Sequence, residues 1–106
     1  MLISKSRKID DGDIVSFKLV NGDEVVARVE SQTDDSYVLN RPCLVVPSQQ
    51  GIGLIQALFS VDPDVNIEIR KQHVMMYAPT FDKLQSHYIQ STTGIQPVTK
   101  GGLVTK

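Results

Sequence analysis

Three side chains that can attract an anion lie within four positions of one another, at Arg70, Lys71 and His73. Guanidinium and ammonium groups attract phosphate, and an imidazole can donate a hydrogen bond to it. If the chain forms an oligomer, each subunit repeats this loop and the modest positive field is multiplied. The cluster therefore predicts contact with an anionic ligand, with a solvated hairpin loop that binds nothing as the alternative.

Charge is distributed unevenly along the chain. The net charge of the whole sequence is −1, but basic side chains outnumber acidic ones in residues 66–106 and the reverse holds in residues 1–65. An anionic ligand should therefore meet the second part of the chain. Ordinary scatter in the placement of charges is the alternative interpretation.

Side chains suited to catalysis are few. His73 and His87 are the only histidines and Cys43 is the only cysteine. Cys43 has no basic or histidine neighbour in the sequence, and no pair of motifs has the spacing of metal ligands. Residues 62–64 lack the distal glutamate of a calcium-binding loop. We therefore expect no enzymatic activity, no cofactor, no metal and no small-molecule substrate.

The element that says most about architecture is a β-hairpin around Asn21 and Gly22, because apolar and polar residues alternate on both sides of it. A three-residue loop over 20–22, with Gly22 in a left-handed conformation, would set Phe17 opposite Val25. Such a loop increases the local twist, which favours a bent sheet or a small barrel. The same register makes two further pairs: Val15 with Ala27, and Lys18 with Glu24.

Several short strands are predicted after the hairpin. A third strand covers 36–39 and 43–46 and is broken near Pro42, where proline implies a bulge or an edge. A fourth covers 54–60, and two more segments flank the polar 70–73 loop. Five or six short bent strands in about 65 residues leave little chain for a second sheet. We therefore predict a mostly-β fold, a strongly bent five-stranded open barrel.

A helix is predicted after the last strand, because the apolar period changes to three and four residues at Phe81, Leu84 and Tyr88. Thr80 is placed to cap it, and Asp82 lies in its first turn. Its apolar face could cover the open end of the barrel. The predicted organisation has four parts: an N-terminal arm over 1–12, the barrel over 13–78, the C-terminal helix over 79–94 and a flexible tail over 95–106.

Composition indicates one small domain in a reducing compartment. The chain has 106 residues, of which 41% are hydrophobic, enough to bury a core of this size. A single cysteine excludes an internal disulfide, and no segment approaches the roughly 18 apolar residues of a membrane span. The N-terminus does not have the pattern of a signal peptide. We expect a cytoplasmic protein with no membrane partner.

Two segments resemble the motifs of the Sm-like (Lsm) family. Residues 19–22 (Leu-Val-Asn-Gly) and Val25 match the first motif, although Ala27 stands where that motif usually has glycine. Residues 69–74 (Ile-Arg-Lys-Gln-His-Val) match the second motif except at its glycine, and Lys71 to His73 resembles, shifted by one position, the Lys-His pair of bacterial Sm-like RNA chaperones. The chain also resembles small Sm-like proteins of tailed marine phages, which would place it in the cytoplasm of a bacterial host.

The resemblance implies a small barrel that forms closed homo-oligomeric rings of about five to seven subunits. It also implies a pocket for an RNA base, formed in the family by an arginine of the second motif and an asparagine of the first. Arg70 carries over directly. The asparagine does not, since Tyr37 stands nearest to its position and Asn40 follows three residues later. Tyr37 could stack on a base, worth about 1–3 kcal/mol, or its ring could lie in the core.

Two functions follow from these patterns. The first is a ring that binds single-stranded RNA, with Arg70 as the main contact and with Lys71 and His73 attracting phosphate, so that binding weakens with salt. The second is a non-catalytic protein-interaction or assembly module that uses the same barrel without nucleic acid. The missing Asn and Gly and the negative net charge favour this second function. A monomeric oligonucleotide-binding barrel is a third possibility.

Overall fold

A computed structural model of the chain describes residues 8–49 and 51–92. The tail predicted over 95–106 lies outside the described residues, as do the first seven residues of the predicted N-terminal arm. The elements are six strands and one helix: β1 Ile14–Leu19, β2 Glu24–Gln32, β3 Ser36–Ser48, β4 Gly51–Gln56, β5 Ile67–Arg70, β6 Val74–Pro79 and α1 Asp82–Thr92.

All six strands belong to one antiparallel open sheet in the order β4-β3-β2-β1-β6, with β5 also paired to β3. The mostly-β prediction with a C-terminal helix is confirmed, but the predicted count of five strands is wrong by one. β4 and β5 share one edge of β3. β4 pairs with residues 43–48 and β5 with residues 36–39, while residues 57–66 leave the sheet between them.

The hairpin of β1 and β2 has the predicted register. Phe17 lies opposite Val25, and the other two predicted pairs are also present. Gly22 has a φ of +96°, a backbone conformation that side chains disfavour. The side-chain oxygen of Asn21 accepts the Asp23 N–H at 2.9 Å, which closes the turn locally. The loop chemistry therefore sets the pairing of the two central strands.

The main hydrophobic cluster lies on the inner face of this bent sheet. Strand alternation puts every second residue of β1 and β2 on that face, and β3 adds Tyr37 and Leu39. The ring centroids of Phe17 and Tyr37 are 5.1 Å apart in a tilted arrangement. The buried members of the cluster are Val15, Phe17, Val25, Ala27, Val29, Tyr37 and Leu39.

Helix α1 covers the opposite face of the sheet. Leu84 and Tyr88 form a second cluster with Ile14, Val26 and Cys43, residues that alternate with members of the first cluster. The helix therefore packs on the back of the sheet and not, as expected, over the barrel opening. Leu84 and Tyr88 are buried as predicted, but the predicted apolar face is wrong at one position. Phe81 is 59% exposed. It precedes the helix, which begins at Asp82, so the helical spacing does not fix the direction of its side chain.

Thr80 has a different role from the predicted cap. Its hydroxyl is hydrogen-bonded to the Ser16 hydroxyl at 2.7 Å, and its backbone N–H donates to the Ile14 carbonyl at 3.2 Å. Both contacts fix the end of β6 to β1. Thr80 therefore anchors the approach to the helix, while the Gln85 side chain donates to the Thr80 carbonyl at 2.7 Å.

A bulge in β3 confirms the predicted irregularity near Pro42. Between the pairs formed by β2 residues 26 and 28, β3 contributes both Arg41 and Pro42 against Ala27 alone, and Arg41 has a φ of +50°. The hydroxyl of Tyr88 accepts the Arg28 N–H at 3.1 Å and donates to the carbonyl of residue 40 at 2.6 Å. A helix side chain thus supplies hydrogen bonds to backbone groups at the bulge.

Candidate functional site

The predicted basic residues lie at the end of β5 and in the 3-10 turn, Lys71–His73, that joins β5 to β6. Two backbone hydrogen bonds hold this turn. The Lys71 N–H donates to the Asp35 carbonyl at 2.7 Å, and the His73 carbonyl accepts the Val20 N–H at 2.8 Å. The turn is therefore hydrogen-bonded both to the β2–β3 turn and to the β1–β2 loop, which fixes the backbone position from which its side chains extend.

The three cationic residues differ in their surroundings. Arg70 ends β5 opposite Ser36 and is exposed, as is His73. Lys71 is half-buried, because its ammonium group lies 4.9 Å from the centroid of the Tyr37 ring and donates to the Gln32 side-chain oxygen at 3.2 Å. A cation over a ring face is attracted by the ring quadrupole. Lys71 therefore helps to hold the turn, while Arg70 and His73 point to solvent.

Tyr37 is packed in the core. It is 5% exposed, with Phe17 and the Lys71 ammonium as ring contacts. Burial raises the pKa of its hydroxyl, and the neighbouring Tyr77 raises this pKa further. Stacking on a base would require the ring to leave these contacts. The placement corresponds to the alternative that the sequence left open, a strand tyrosine whose ring lies in the core.

Asn40 does not lie with the other predicted site residues. It is four positions along β3 from Ser36, the partner of Arg70, which corresponds to about 13 Å of extended strand. Its side-chain amide donates to the Asn66 side chain at 3.2 Å, and its carbonyl accepts the Tyr88 hydroxyl. Asn40 therefore belongs to the bulge and not to the Lys71–His73 turn.

An exposed aromatic residue that sequence reasoning missed, Tyr77, lies beside Lys71. It is 49% exposed, and its ring meets Tyr37 edge-on with centroids 6.4 Å apart. Tyr77 lies opposite Phe17 on β1, a pairing that the local pattern of β6 could not reveal. The open groove at this position combines two lysines with two tyrosines. Its lining residues are Lys8, Ile9, Asp10, Gln32, Tyr37, Lys71 and Tyr77.

Two edge strands form the other unusual surface. Among the described strands, β4, β5 and β6 each pair with one neighbour only, β4 and β5 with β3 and β6 with β1. Ile52 and Ile55 of β4 and Met75, Met76 and Tyr77 of β6 are 41% to 60% exposed. An edge strand with unpaired backbone groups can pair with another chain, and adjoining apolar side chains favour such contacts. Both ends of the sheet therefore have the character of contact surfaces.

The described residues offer little for metal or thiol chemistry. Within 8–49 and 51–92, no three His, Cys, Asp or Glu side chains are grouped so as to hold a metal ion. Cys43 is buried, and burial raises the pKa of its thiol more than the nearby Arg41 charge lowers it. No helix in the described part of the chain has the length and apolar character needed to cross a membrane.

No protein-family model matches the sequence, and a search of curated proteins finds no match. Function is therefore inferred from two local features, the exposed edge strands and the tethered basic turn.

Proposed function

We propose that this protein is a non-catalytic assembly subunit of the Sm-like barrel class, and that it forms closed homo-oligomeric rings through β4 of one copy and β6 of the next. The observation that supports this function best is the position of β4 and β6 at the two ends of one sheet, where each pairs on one side only among the described strands and has exposed apolar side chains. Pairing satisfies the backbone groups and removes apolar area from water, at about 25 cal/mol per Å².

The interface is head-to-tail, because β4 and β6 are different surfaces of the same chain. Such an interface repeats from copy to copy, so it gives a ring if the rotation closes and a filament if it does not. β6 begins directly after the Lys71–His73 turn. Each junction between subunits would therefore carry one basic turn beside it, and a ring would repeat that turn around its axis.

The mass of the full chain in solution tests assembly. Sedimentation velocity and native mass spectrometry should find one discrete oligomer. Ile55→Lys on β4 and Met76→Lys on β6 should each shift it towards the monomer, because a lysine opposes edge pairing. Ile89→Lys is the matched control, since Ile89 is 36% exposed on α1 and belongs to neither edge strand. A wild-type chain that stays monomeric at all concentrations would refute the proposal.

Mixing the two edge variants tests the head-to-tail arrangement. The Ile55→Lys chain retains an intact β6, and the Met76→Lys chain retains an intact β4. A mixture should therefore form heterodimers that cannot extend, because both remaining edges are blocked. If β4 paired only with β4, the Met76→Lys chain would form homodimers and the Ile55→Lys chain would stay monomeric. If β6 paired only with β6, the reverse would hold, and neither case would give heterodimers.

Binding of single-stranded RNA is the second candidate function. It is favoured by the exposure of Arg70 and His73 and by the groove that brings Lys71 beside Tyr77. Fluorescence anisotropy with U-rich and A-rich oligonucleotides at low salt is the test. An Arg70→Ala, Lys71→Ala variant should lose binding, whereas Lys83→Ala on α1 should not. If the wild-type chain binds neither RNA at low salt, the protein is an assembly module without this activity.

A further inference from the structure

We infer that the acidic 57–66 loop of one copy docks on the basic Lys71–His73 turn of the next, so that opposite charges select the partner edge. This inference rests on the proposed pairing of β4 with β6. Every strand pair in the subunit is antiparallel, and antiparallel pairing sets the end of one strand against the start of the other. β4 ends at Gln56, where the loop begins, and β6 starts at Val74, where the turn ends.

The direction of pairing therefore brings the loop and the turn together. An antiparallel β4–β6 junction places residues 57–66 of one copy beside residues 71–73 of its neighbour. A parallel junction would place the same loop beside Pro79 and the start of α1 instead. The two arrangements thus predict different neighbours for the loop, which makes the contact testable by substitution.

The loop and the 70–73 segment have side chains of opposite charge, and the exposed Asp35, whose carbonyl accepts the Lys71 N–H, is the acidic neighbour of the turn. The 57–66 loop contains Asp62 and Asp64 and no basic residue, whereas Arg70 and His73 are exposed at the turn. Asp64 already pairs with Arg41 at 2.6 Å. Asp62 is exposed, and its carboxylate accepts only a backbone N–H, from residue 64 at 2.9 Å, among the hydrogen bonds of the described residues. Asp62 therefore retains an uncompensated negative charge for Arg70 of the neighbouring copy.

Apolar side chains accompany these charges. Phe59 on the loop is 76% exposed and Leu58 is 44% exposed. On the side of the turn, Val20 is 57% exposed, and its N–H is bonded to the His73 carbonyl. The docked loop would cover Phe59, which a monomer leaves in water, against Val20 and the start of β6. Charge then chooses the partner surface, and apolar burial adds affinity.

Charge reversal on the full-length chain tests the contact. Asp62→Arg and Arg70→Asp each put like charges at every junction, so each should raise the dissociation constant of the oligomer by about tenfold or more. The double variant restores opposite charges and should return to within about threefold of wild type at low salt. Glu30→Arg is the control, because Glu30 is exposed on the central strand β2, away from both edges, and it should assemble as wild type.

Each outcome separates this contact from the proposed assembly. If both single variants assemble as tightly as wild type, the loop does not meet the turn, while edge pairing stands. If the single variants are weakened and the double variant is not restored, Asp62 and Arg70 do not face each other and the inference is wrong. If the wild-type chain never assembles, the proposed function fails and the docking fails with it.

Discussion

Strand β2 at the centre of the sheet is covered on both faces, whereas β4 and β6 at its ends leave apolar side chains in water. Val25 packs into the inner cluster and Val26 beneath α1, and both are buried. Every buried side-chain nitrogen or oxygen among the described residues has a hydrogen-bond partner. Ile52 and Met76 at the edges are about half exposed. The difference indicates that the centre of the sheet stabilises the fold, whereas its edges leave apolar area exposed.

The largest expected effect comes from breaking the centre. Phe17→Ala removes a fully buried ring from the inner cluster and should lower the free energy of unfolding by about 3–5 kcal/mol. Urea unfolding followed by circular dichroism measures this loss. Val20→Ala, just beyond the same strand and 57% exposed, should change it by less than about 0.5 kcal/mol. Equal effects at the two positions would contradict the comparison.

A smaller effect is expected where the helix meets the centre. Tyr88→Phe keeps the ring but removes the hydroxyl, so the Arg28 N–H and the carbonyl of residue 40 lose a partner. The free energy of unfolding should fall by about 1–3 kcal/mol. Tyr77→Phe is the control, because Tyr77 is 49% exposed and its hydroxyl can remain hydrated. If Tyr77→Phe lowers the free energy of unfolding as much as Tyr88→Phe does, the hydrogen bonds at the bulge contribute no more than those of an exposed hydroxyl.

The same hydroxyl should make stability depend on alkaline pH. Burial raises the pKa of Tyr88 in the folded state, although the Arg28 N–H that it accepts lowers this pKa in part. The stability from this group is therefore fully present below the unfolded pKa of about 10 and is lost as pH rises through the folded pKa. Unfolding curves from about pH 7 to 11 should be less pH-dependent for Tyr88→Phe. Some dependence remains from Tyr37, whose pKa is also raised.

The smallest effect on subunit stability is expected at the edges. Ile55→Lys should change the free energy of unfolding of the monomer by no more than about 0.5 kcal/mol, because Ile55 is 41% exposed in the single chain. The measurement is urea unfolding at a dilution where wild type is monomeric. A loss of several kcal/mol would show that this edge belongs to the subunit core, and would remove the contrast with Phe17.

The parts of the fold that could be predicted from sequence depend on local chemistry. The hairpin register follows from alternation together with one left-handed position at Gly22. The bulge follows from Pro42, which has no N–H to donate, and the helix follows from the spacing of Leu84 and Tyr88. Each of these signals lies within a few residues of the structure that it produces.

The parts that could not be predicted depend on distant pairing. Val26 alternates with residues of the inner cluster, so strand alternation alone predicts that it faces water. In the structure α1 packs on that face and buries it. The candidate site in the structure differs from the predicted site for the same reason. Tyr37 and Tyr77 differ in exposure because β6 pairs with β1 and brings Tyr77 to the rim beside Lys71. No local pattern distinguishes these two tyrosines before the strands are paired.

The contact between Tyr88 and the bulge also determines how far the chain can be truncated from its C-terminal side. A fragment that ends at Pro79 contains all six strands, but it lacks the hydroxyl that serves Arg28 and the bulge, and it uncovers Val26. We therefore expect a fragment without the helix to be less stable than the full chain. The shortest C-terminal boundary that keeps this face of the sheet covered lies beyond Tyr88, and a tag or fusion partner belongs after Thr92.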